Sequence, residues 1–401
     1  MTTHHERMIG DFYSEFPYPW HVARLARCGD PALYPALVSQ EVGDYGHRRL
    51  PPDCRIWVPG CGVNQALMTA LRFPAAHVVG SDVSEESLRM CAAAAEQVGA
   101  GNLELREEGI EGSPYREEFD YIVCTGVIHH NPDPGALLAR LAAALRPEGL
   151  LELMVYNTFH RREITAFQEA LRLIGHGQDV WSARRLAGSI DSDNQLTARL
   201  RAELHEPEIA FADTWLNPCE RTFTVGGLHD LCAAAGLVLE APCVSELAKA
   251  SGAYSWELPV RDERLGGRLR ALPDLVRWQV GNLLLFDRSP LLWFYLRRRD
   301  NPLPLAGEDE RDEAFLDAVP TRVRATERVW LLEESGGYRP MDGERPVSEP
   351  AATAFPQLLA DVDGRRTVRD LCGAPGGTMV RRMRAELATP AGPHLVARVA
   401  G

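Results

Sequence analysis

From residue 55 onward, short apolar runs alternate with stretches whose apolar residues recur at helical spacing. The runs predict strands at Arg55–Val58, His77–Gly80, Leu103–Arg106, Tyr121–Cys124 and Leu150–Tyr156. The periodic stretches predict helices over about Gln65–Arg72, from Ser84 as N-cap to Val98, and over Gly135–Leu145, where Arg146-Pro147 forces a stop. Strands and helices in strict alternation give βα units and a parallel sheet, so the fold class is α/β. Two later apolar runs, Leu237–Cys243 and Leu291–Leu296, extend the same sheet.

The remaining sequence divides around that core. Residues 1–50 carry the cluster Phe12-Tyr13-Ser14-Glu15-Phe16-Pro17-Tyr18-Pro19-Trp20, whose closely spaced prolines predict an ordered turn or lid and no helix. Residues 51–300 form the main domain, with two mostly helical insertions at about 160–220 and 245–288. Residues 301–315, rich in proline and acid, read as a linker. Residues 316–401 contain short signals at Arg328–Glu333, Ala352–Asp361 and Thr367–Leu371, enough for a small α+β or winged-helix module.

Composition narrows the function. A net charge of −13 over 401 residues argues against a general nucleic-acid binder, and Arg297-Arg298-Arg299 reads as a solvated strand end. No apolar run approaches the roughly 18 residues of a membrane span. Nine scattered cysteines, with no C-x-x-C pair and no secretory signal, predict a cytoplasmic protein with reduced thiols. His4-His5 and His129-His130 are adjacent pairs, which on a strand point to opposite faces, so no metal site is expected.

The chemistry concentrates where strands end. Ile56-Trp57-Val58 runs into Pro59-Gly60-Cys61-Gly62-Val63-Asn64-Gln65, a strand–Gly-x-Gly–helix passage in which glycines permit a sharp turn and close approach of a ligand. The third glycine of the dinucleotide fingerprint is absent, which counts against a dehydrogenase. Asp82 follows Gly62 at the end of the next strand, where a carboxylate accepts hydrogen bonds from the ribose hydroxyls of an adenosine-containing cofactor. The third block is Phe119-Asp120-Tyr121-Ile122-Val123-Cys124-Thr125-Gly126-Val127-Ile128-His129-His130, followed by Leu145-Arg146-Pro147-Glu148-Gly149.

In combination these blocks resemble a class I SAM-dependent methyltransferase, whose fourth strand ends in an apolar-His-His pattern before an L-x-P-x-G turn. Gly109-Ile110-Glu111, Met154-Val155-Tyr156-Asn157 and Asn217-Pro218-Cys219-Glu220-Arg221-Thr222-Phe223-Thr224-Val225 are similar to motifs of a bacterial subgroup of that family. Asn217, Glu220 and Phe223 stand where the subgroup has histidine, aspartate and tyrosine. The resemblance implies a Rossmann-like sheet and S-adenosylmethionine as cofactor. Gly60, Cys61, Gly62, Asn64 and Gln65 would line its methionine and ribose side, and Asp82 would hold the ribose. Val83, Ile110 and Glu111 would flank the adenine, while Thr125, Gly126 and Val127 face the sulfonium.

Methyl transfer from a sulfonium asks mainly for in-line positioning, plus a base where the nucleophile carries a proton. His129, His130 and Tyr156 are the candidate bases. Tyr13, Tyr18 and Trp20 are candidates for a lid over the site, and Asn157, Glu220 and Arg221 for substrate contacts, with Thr222 a plausible N-cap beside them. The expected acceptor is a small molecule methylated on nitrogen, oxygen or carbon in bacterial specialised metabolism, an amino-acid-like or guanidino compound among the options. A ribosomal peptide gripped by the tail and a SAM-binding regulator without turnover are the rival readings. The tail weakly resembles PqqD-like or winged-helix domains through Leu358-Leu359-Ala360-Asp361-Val362-Asp363-Gly364, which leaves carrier recruitment and a homodimer contact open.

Overall fold

A computed structural model describes residues 4–17, 21–175, 179–244, 256, 258–285, 289–349, 353–373 and 375–399. At its centre is a seven-stranded sheet. Its members are β2 (Arg55–Pro59), β3 (His77–Asp82), β4 (Leu103–Glu107), β5 (Phe119–Thr125), β6 (Leu145–Tyr156), β7 (Leu237–Pro242) and β8 (Leu291–Arg298), in the order β4-β3-β2-β5-β6-β8-β7. All neighbours are parallel except β8, which runs antiparallel to both β6 and β7. The order reverses between β2 and β5, and open α/β sheets bind ligands beyond the strand ends at such a switch point.

Local chemistry sets the helices that flank it. Helix α4 (Glu85–Val98) starts on Ser84, whose hydroxyl accepts the Ser87 N–H, and ends on Gly99 in the left-handed region. Helix α5 (Pro134–Ala144) starts on Asp133 with proline in its first turn. One departure from expectation lies between them and β6. Residues Leu145–Gly149 are part of the strand, because Phe119 pairs with Leu145 and an irregularity in β6 then shifts the register so that Tyr121 pairs with Leu150.

The N-terminal segment corrects the sequence reading more strongly. His4–Glu15 is a helix, α1, that carries Phe12 and Tyr13; Pro17 lies beyond its end and so terminates it without disturbing it. Tyr18, Pro19 and Trp20 lie outside the described residues. Phe12 and Phe16, one turn apart, bury their rings among Ile164, Phe167, Phe211 and Trp215 of the first insertion. That insertion consists of α6 (Thr158–Leu173), α7 (Val180–Ser189), α8 (Gln195–Glu203) and α9 (Glu208–Trp215). Helix α1 and the insertion therefore share one core and form one cap.

The tail is not a separate module. Strand β1 (Arg24–Cys28) pairs with β10 (Thr326–Leu332), which pairs with β11 (Tyr338–Pro346). Trp330 and Tyr338 pack on Leu67, Leu71 and Cys91 of the central domain. Strand β9 (Ala318–Arg322) pairs with β14 (Leu395–Val399). Buried Gln40, in α2 (Leu33–Glu41), donates to the carbonyls of Ala388 and Leu395 and accepts the Ala397 N–H.

The expected linker is also structured, for Glu308–Asp317 is a helix. Its Arg311 is fully buried against Glu308 at 2.9 Å, and its Asp312 meets Arg384 at 2.7 Å and Arg381 at 3.0 Å. Arg297, read as solvated, is 4% exposed and donates to the carbonyls of Asn301, Leu303 and Pro304. No helix among the described residues is long and apolar enough to cross a membrane.

Glu41 generates a prediction. It is buried, accepts the Val244 N–H and the Tyr295 hydroxyl, and burial pushes its pKa up to about 8. A folded-state pKa above the unfolded value means the folded chain holds the extra proton, so stability is lost as pH rises from about 4.5 to about 8. Glu41→Gln should abolish that loss. Thermal melts should show variant and wild type alike near pH 4.5 and diverging toward pH 8, the variant ahead there by roughly 4 kcal/mol. Parallel curves across that range would refute the assignment.

Candidate active site

The loop after β2 is shaped by two glycines in the left-handed region, Gly60 (φ 62°) and Gly62 (φ 51°). A Cβ on Gly60 would lie 2.5 Å from Val127 Cγ2, so the absent side chain lets the loops after β2 and β5 pack together. Asp82, at the end of β3, accepts the Gly62 N–H at 2.8 Å through one carboxylate oxygen and the Ser84 N–H at 2.9 Å through the other. Burial raises its pKa against the opposing pull of these N–H groups. The carboxylate thus organises the glycine loop while keeping acceptor capacity for a further donor.

Helix α1 lies across these loops. A Cβ on Gly10 would sit 3.0 Å from the Val83 carbonyl oxygen, and the Glu6 carboxylate occupies the space against Gly109. Ser14 and Ser84 hydroxyls are 3.4 Å apart. The lid is a helix, and it covers the ends of β3 and β4.

Not every expected cofactor residue presents a side chain there. Cys61 is 1% exposed, with its thiol turned into the sheet core and its N–H donated to the Ser81 carbonyl, because the tight turn drives that side chain inward. Ile110 joins the core around Trp57 and Tyr115. Asn64 is buried at the cap position of α3 (Gln65–Arg72), and Gln65 opens that helix half-buried. Thr125 and Gly126 stand half-buried at the β5 exit, where Gly126 adopts φ 79° and donates to the Met154 carbonyl. Glu111 accepts an amide N–H from Asn131 at 2.8 Å.

The two histidines are not on a strand. Ile128–His130 is a single 3₁₀ turn, which brings their rings within 4.2 Å of each other instead of onto opposite faces. His129 lies 3.8 Å from the Tyr156 ring, centroid to centroid, is fully buried, and has no hydrogen-bond partner on either ring nitrogen. Burial holds its pKa well below the usual histidine value. His130 Nδ1 lies 2.9 Å from the Cys219 carbonyl. A carbonyl only accepts, so Nδ1 carries the proton and Nε2 keeps its lone pair. Burial brings the His130 pKa down to about 4, leaving the ring neutral at pH 7.

Residues 217–223 form a wall against this cluster. The Arg221 N–H donates to the His129 carbonyl, and Phe223 and Thr158 bridge the end of β6. Glu220 is engaged by Arg161, whose Nε is 2.8 Å from Oε1, and by Gln168 at 3.2 Å. The expected substrate role of Glu220 therefore yields to an internal pair, while Arg221 points to solvent. Asn157, also expected at the substrate, is fully buried. It caps α6, donates to the Ser289 carbonyl and accepts from Asn282, which uses up its side chain. Thr222 bonds Thr158, and the helix over Val225–Ala234 is capped by Thr224 instead.

Tyr13 is where α1 meets this wall. Its hydroxyl donates to Asp213 at 3.2 Å and accepts from Asn217 at 3.0 Å, and its ring edge meets His130. His5, also on α1, donates to the His130 carbonyl at 2.8 Å. Sequence reasoning missed Arg161 and Asp213. Arg161 stacks 3.9 Å over the Tyr156 ring, and burial raises the Asp213 pKa to about 6. Neither stands in a local motif, and only the folding of the insertion over β6 brings them here.

The family described as "Methyltransferase domain" matches residues 58–153. An uncharacterized Synechococcus protein is 29% identical over 336 residues, covering 79% of this chain and 76% of that one. A ubiquinone biosynthesis O-methyltransferase of Bradyrhizobium is 33% identical over 129 residues, 31% of this chain and 49% of the relative, so the match spans about half that enzyme. The structure of PKMT2 from Rickettsia typhi in complex with AdoHcy superposes with a TM-score of 0.57 at 14% identity, covering 88% of this chain and 73% of that one, a likeness of fold. Residues 58–153 match a methyltransferase domain, and the sheet that carries them has the Rossmann-like fold of SAM-dependent methyltransferases.

Proposed function

We propose that this chain methylates a small molecule through an ionisable O–H or N–H group, held between the β5 and β6 exits and the cap. The observation that carries the reading is the His129–His130–Tyr156 cluster, whose His130 is held neutral with its Nδ1 proton on the Cys219 carbonyl, which leaves Nε2 as the basic nitrogen. A guanidino or other cationic acceptor loses its support, because Glu220 and Glu111 already have partners and Glu15 is exposed. The ubiquinone biosynthesis relative, an O-methyltransferase by name, favours a hydroxyl acceptor in biosynthetic metabolism.

S-adenosylmethionine supplies a methyl already activated on sulfur. The protein's share is to bind, exclude water and take a proton. Gly60, Gly62 and Asp82 would hold the amino-acid and ribose parts, and Val83, with Glu111 at the rim, would flank the adenine. Thr125, Gly126 and Val127 would face the sulfonium. Helix α1, pinned by Tyr13 and His5 on one side and by Phe12 and Phe16 on the other, closes the space from water.

Two outcomes are expected. Asp82→Ala removes both the ribose partner and the anchor of the glycine loop. Calorimetric titration with S-adenosylhomocysteine should show affinity lower by at least about tenfold with the melting curve still cooperative. Unchanged affinity would remove Asp82 from the site. With an acceptor found by screening for S-adenosylhomocysteine release, His130→Ala should lower kcat by about 10²-fold while cofactor affinity stays within about threefold. A wild-type kcat in that variant would end the base assignment.

A further inference from the structure

The helix Asp274–Leu284 carries its polarity reversed. A surface helix ordinarily turns apolar residues to the core and polar ones to water. Here Arg277 is buried and donates to the Arg270 carbonyl at 3.1 Å. Asn282 is also buried, accepting the Val225 N–H and donating to Asn157, each at 3.1 Å. Gln279 lies against Gly226, where a Cβ would come within 3.1 Å of its amide nitrogen. The opposite face presents Val276, Val280, Leu283 and Leu284 at helical spacing, and none of these is polar. Leu283 and Leu284 are 56% and 61% exposed.

The preceding helix, Glu263–Arg270, extends this surface and is joined to it by the bond from Arg277 to Arg270. Leu265 and Leu272 are exposed at two-turn spacing, and Arg264 and Arg268 stand one turn apart beside them. Exposed aliphatics scattered singly are ordinary on a protein surface, but these are gathered. Of eleven large apolar side chains exposed among the described residues, five fall within 265–284. Positive charge is gathered at the same place. Residues 261–270 hold four arginines, all exposed, against two carboxylates, in a chain whose net charge is −13. One of those carboxylates, Asp262, is turned back to the Leu265 N–H as a helix cap.

We propose that this two-helix surface docks the protein on an anionic phospholipid bilayer, with its aliphatic side chains in the acyl boundary and its arginines on lipid phosphates. Helices with a basic border and an aliphatic face lie in the plane of a bilayer interface, held by apolar burial together with attraction to anionic lipid. The apolar part of an arginine side chain covers aliphatic surface while its guanidinium stays at headgroup level. At eleven residues the helix Asp274–Leu284 is too short to span, so the chain would lie on the membrane and not cross it. A second copy seated on this face would set arginine against arginine across a two-fold axis, so charge favours an anionic occupant. The surface does not rest on the methyl-transfer reading, since none of its exposed residues belongs to the Asp82 or histidine clusters.

Co-sedimentation of the full chain with lipid vesicles tests this. The protein should pellet with vesicles of equal parts phosphatidylcholine and phosphatidylglycerol, and bind vesicles of phosphatidylcholine alone at least about fivefold more weakly. Leu283→Ser/Leu284→Ser and Arg264→Gln/Arg268→Gln should each weaken binding to the mixed vesicles by at least about tenfold. Both double variants should keep a cooperative melt at the wild-type temperature, because the altered side chains are exposed. The proposal is overturned if the protein stays in the supernatant with both kinds of vesicle, or binds both equally. It is overturned as well if either folded double variant pellets as the wild type does. A wild-type dimer in light scattering that Leu283→Ser/Leu284→Ser turns into a monomer would also sink it, by assigning the face to a second copy.

Discussion

The Asp82 carboxylate is the fixed point on which the loops at the switch point of the sheet depend. By accepting N–H groups from Gly62 and Ser84, it ties the loop after β2 to the start of α4. Gly60 then fits under Val127 only because it has no Cβ, which joins the loop after β5 to the same block. Three strand exits at the switch point become one rigid surface. A buried carboxylate needs such donors, since without them burial would favour its neutral form. The residue that would receive a ribose is therefore the one that keeps its cradle in shape.

Above that surface the chain places a cap whose two parts are far apart in sequence. Phe12 and Phe16 are anchored in the core of α6–α9, while Tyr13 meets Asn217 and His5 meets the His130 carbonyl. An apolar anchor supplies most of the holding energy, at about 25 cal/mol for each Å² of apolar surface buried. The polar contacts set orientation. Enclosure of this kind also explains the histidines. Buried away from water, both rings favour the neutral state, the one in which imidazole accepts a proton.

The last third of the chain has a supporting role that its composition conceals. It contributes β10 and β11 to a sheet begun by β1, is held to α2 by Gln40 and to β7 by Arg311 donating to the Glu240 carbonyl, and is tied together by a buried arginine–carboxylate network. Removing one partner of such a network strands a charge in the interior, at a cost of about 3–5 kcal/mol. Truncation of the tail would therefore strip the central domain of its packing partners, and a loss of activity on deletion would say little about substrate recruitment.

Much of this was legible in the sequence. The βα alternation, the Ser84 cap, the Gly-x-Gly turn and Asp82 at the end of β3 are local patterns, set by periodicity of two against 3.6 and by glycine's freedom at positive φ. The errors came wherever long-range packing overruled local signals. The prolines after Phe16 did not forbid α1, because they lie past its end and its aromatic face had a partner 150 residues away. The acidic stretch before Asp312 was not a linker, because arginines from the tail neutralise it. Glu220 and Asn157 looked available and were spoken for by Arg161 and Asn282. Sequence determined which strands form and where the Gly-x-Gly loop and Asp82 fall, since those depend on neighbours in the chain. Only the tertiary structure decided which polar side chains remain free for chemistry, because that depends on which distant groups reach them first.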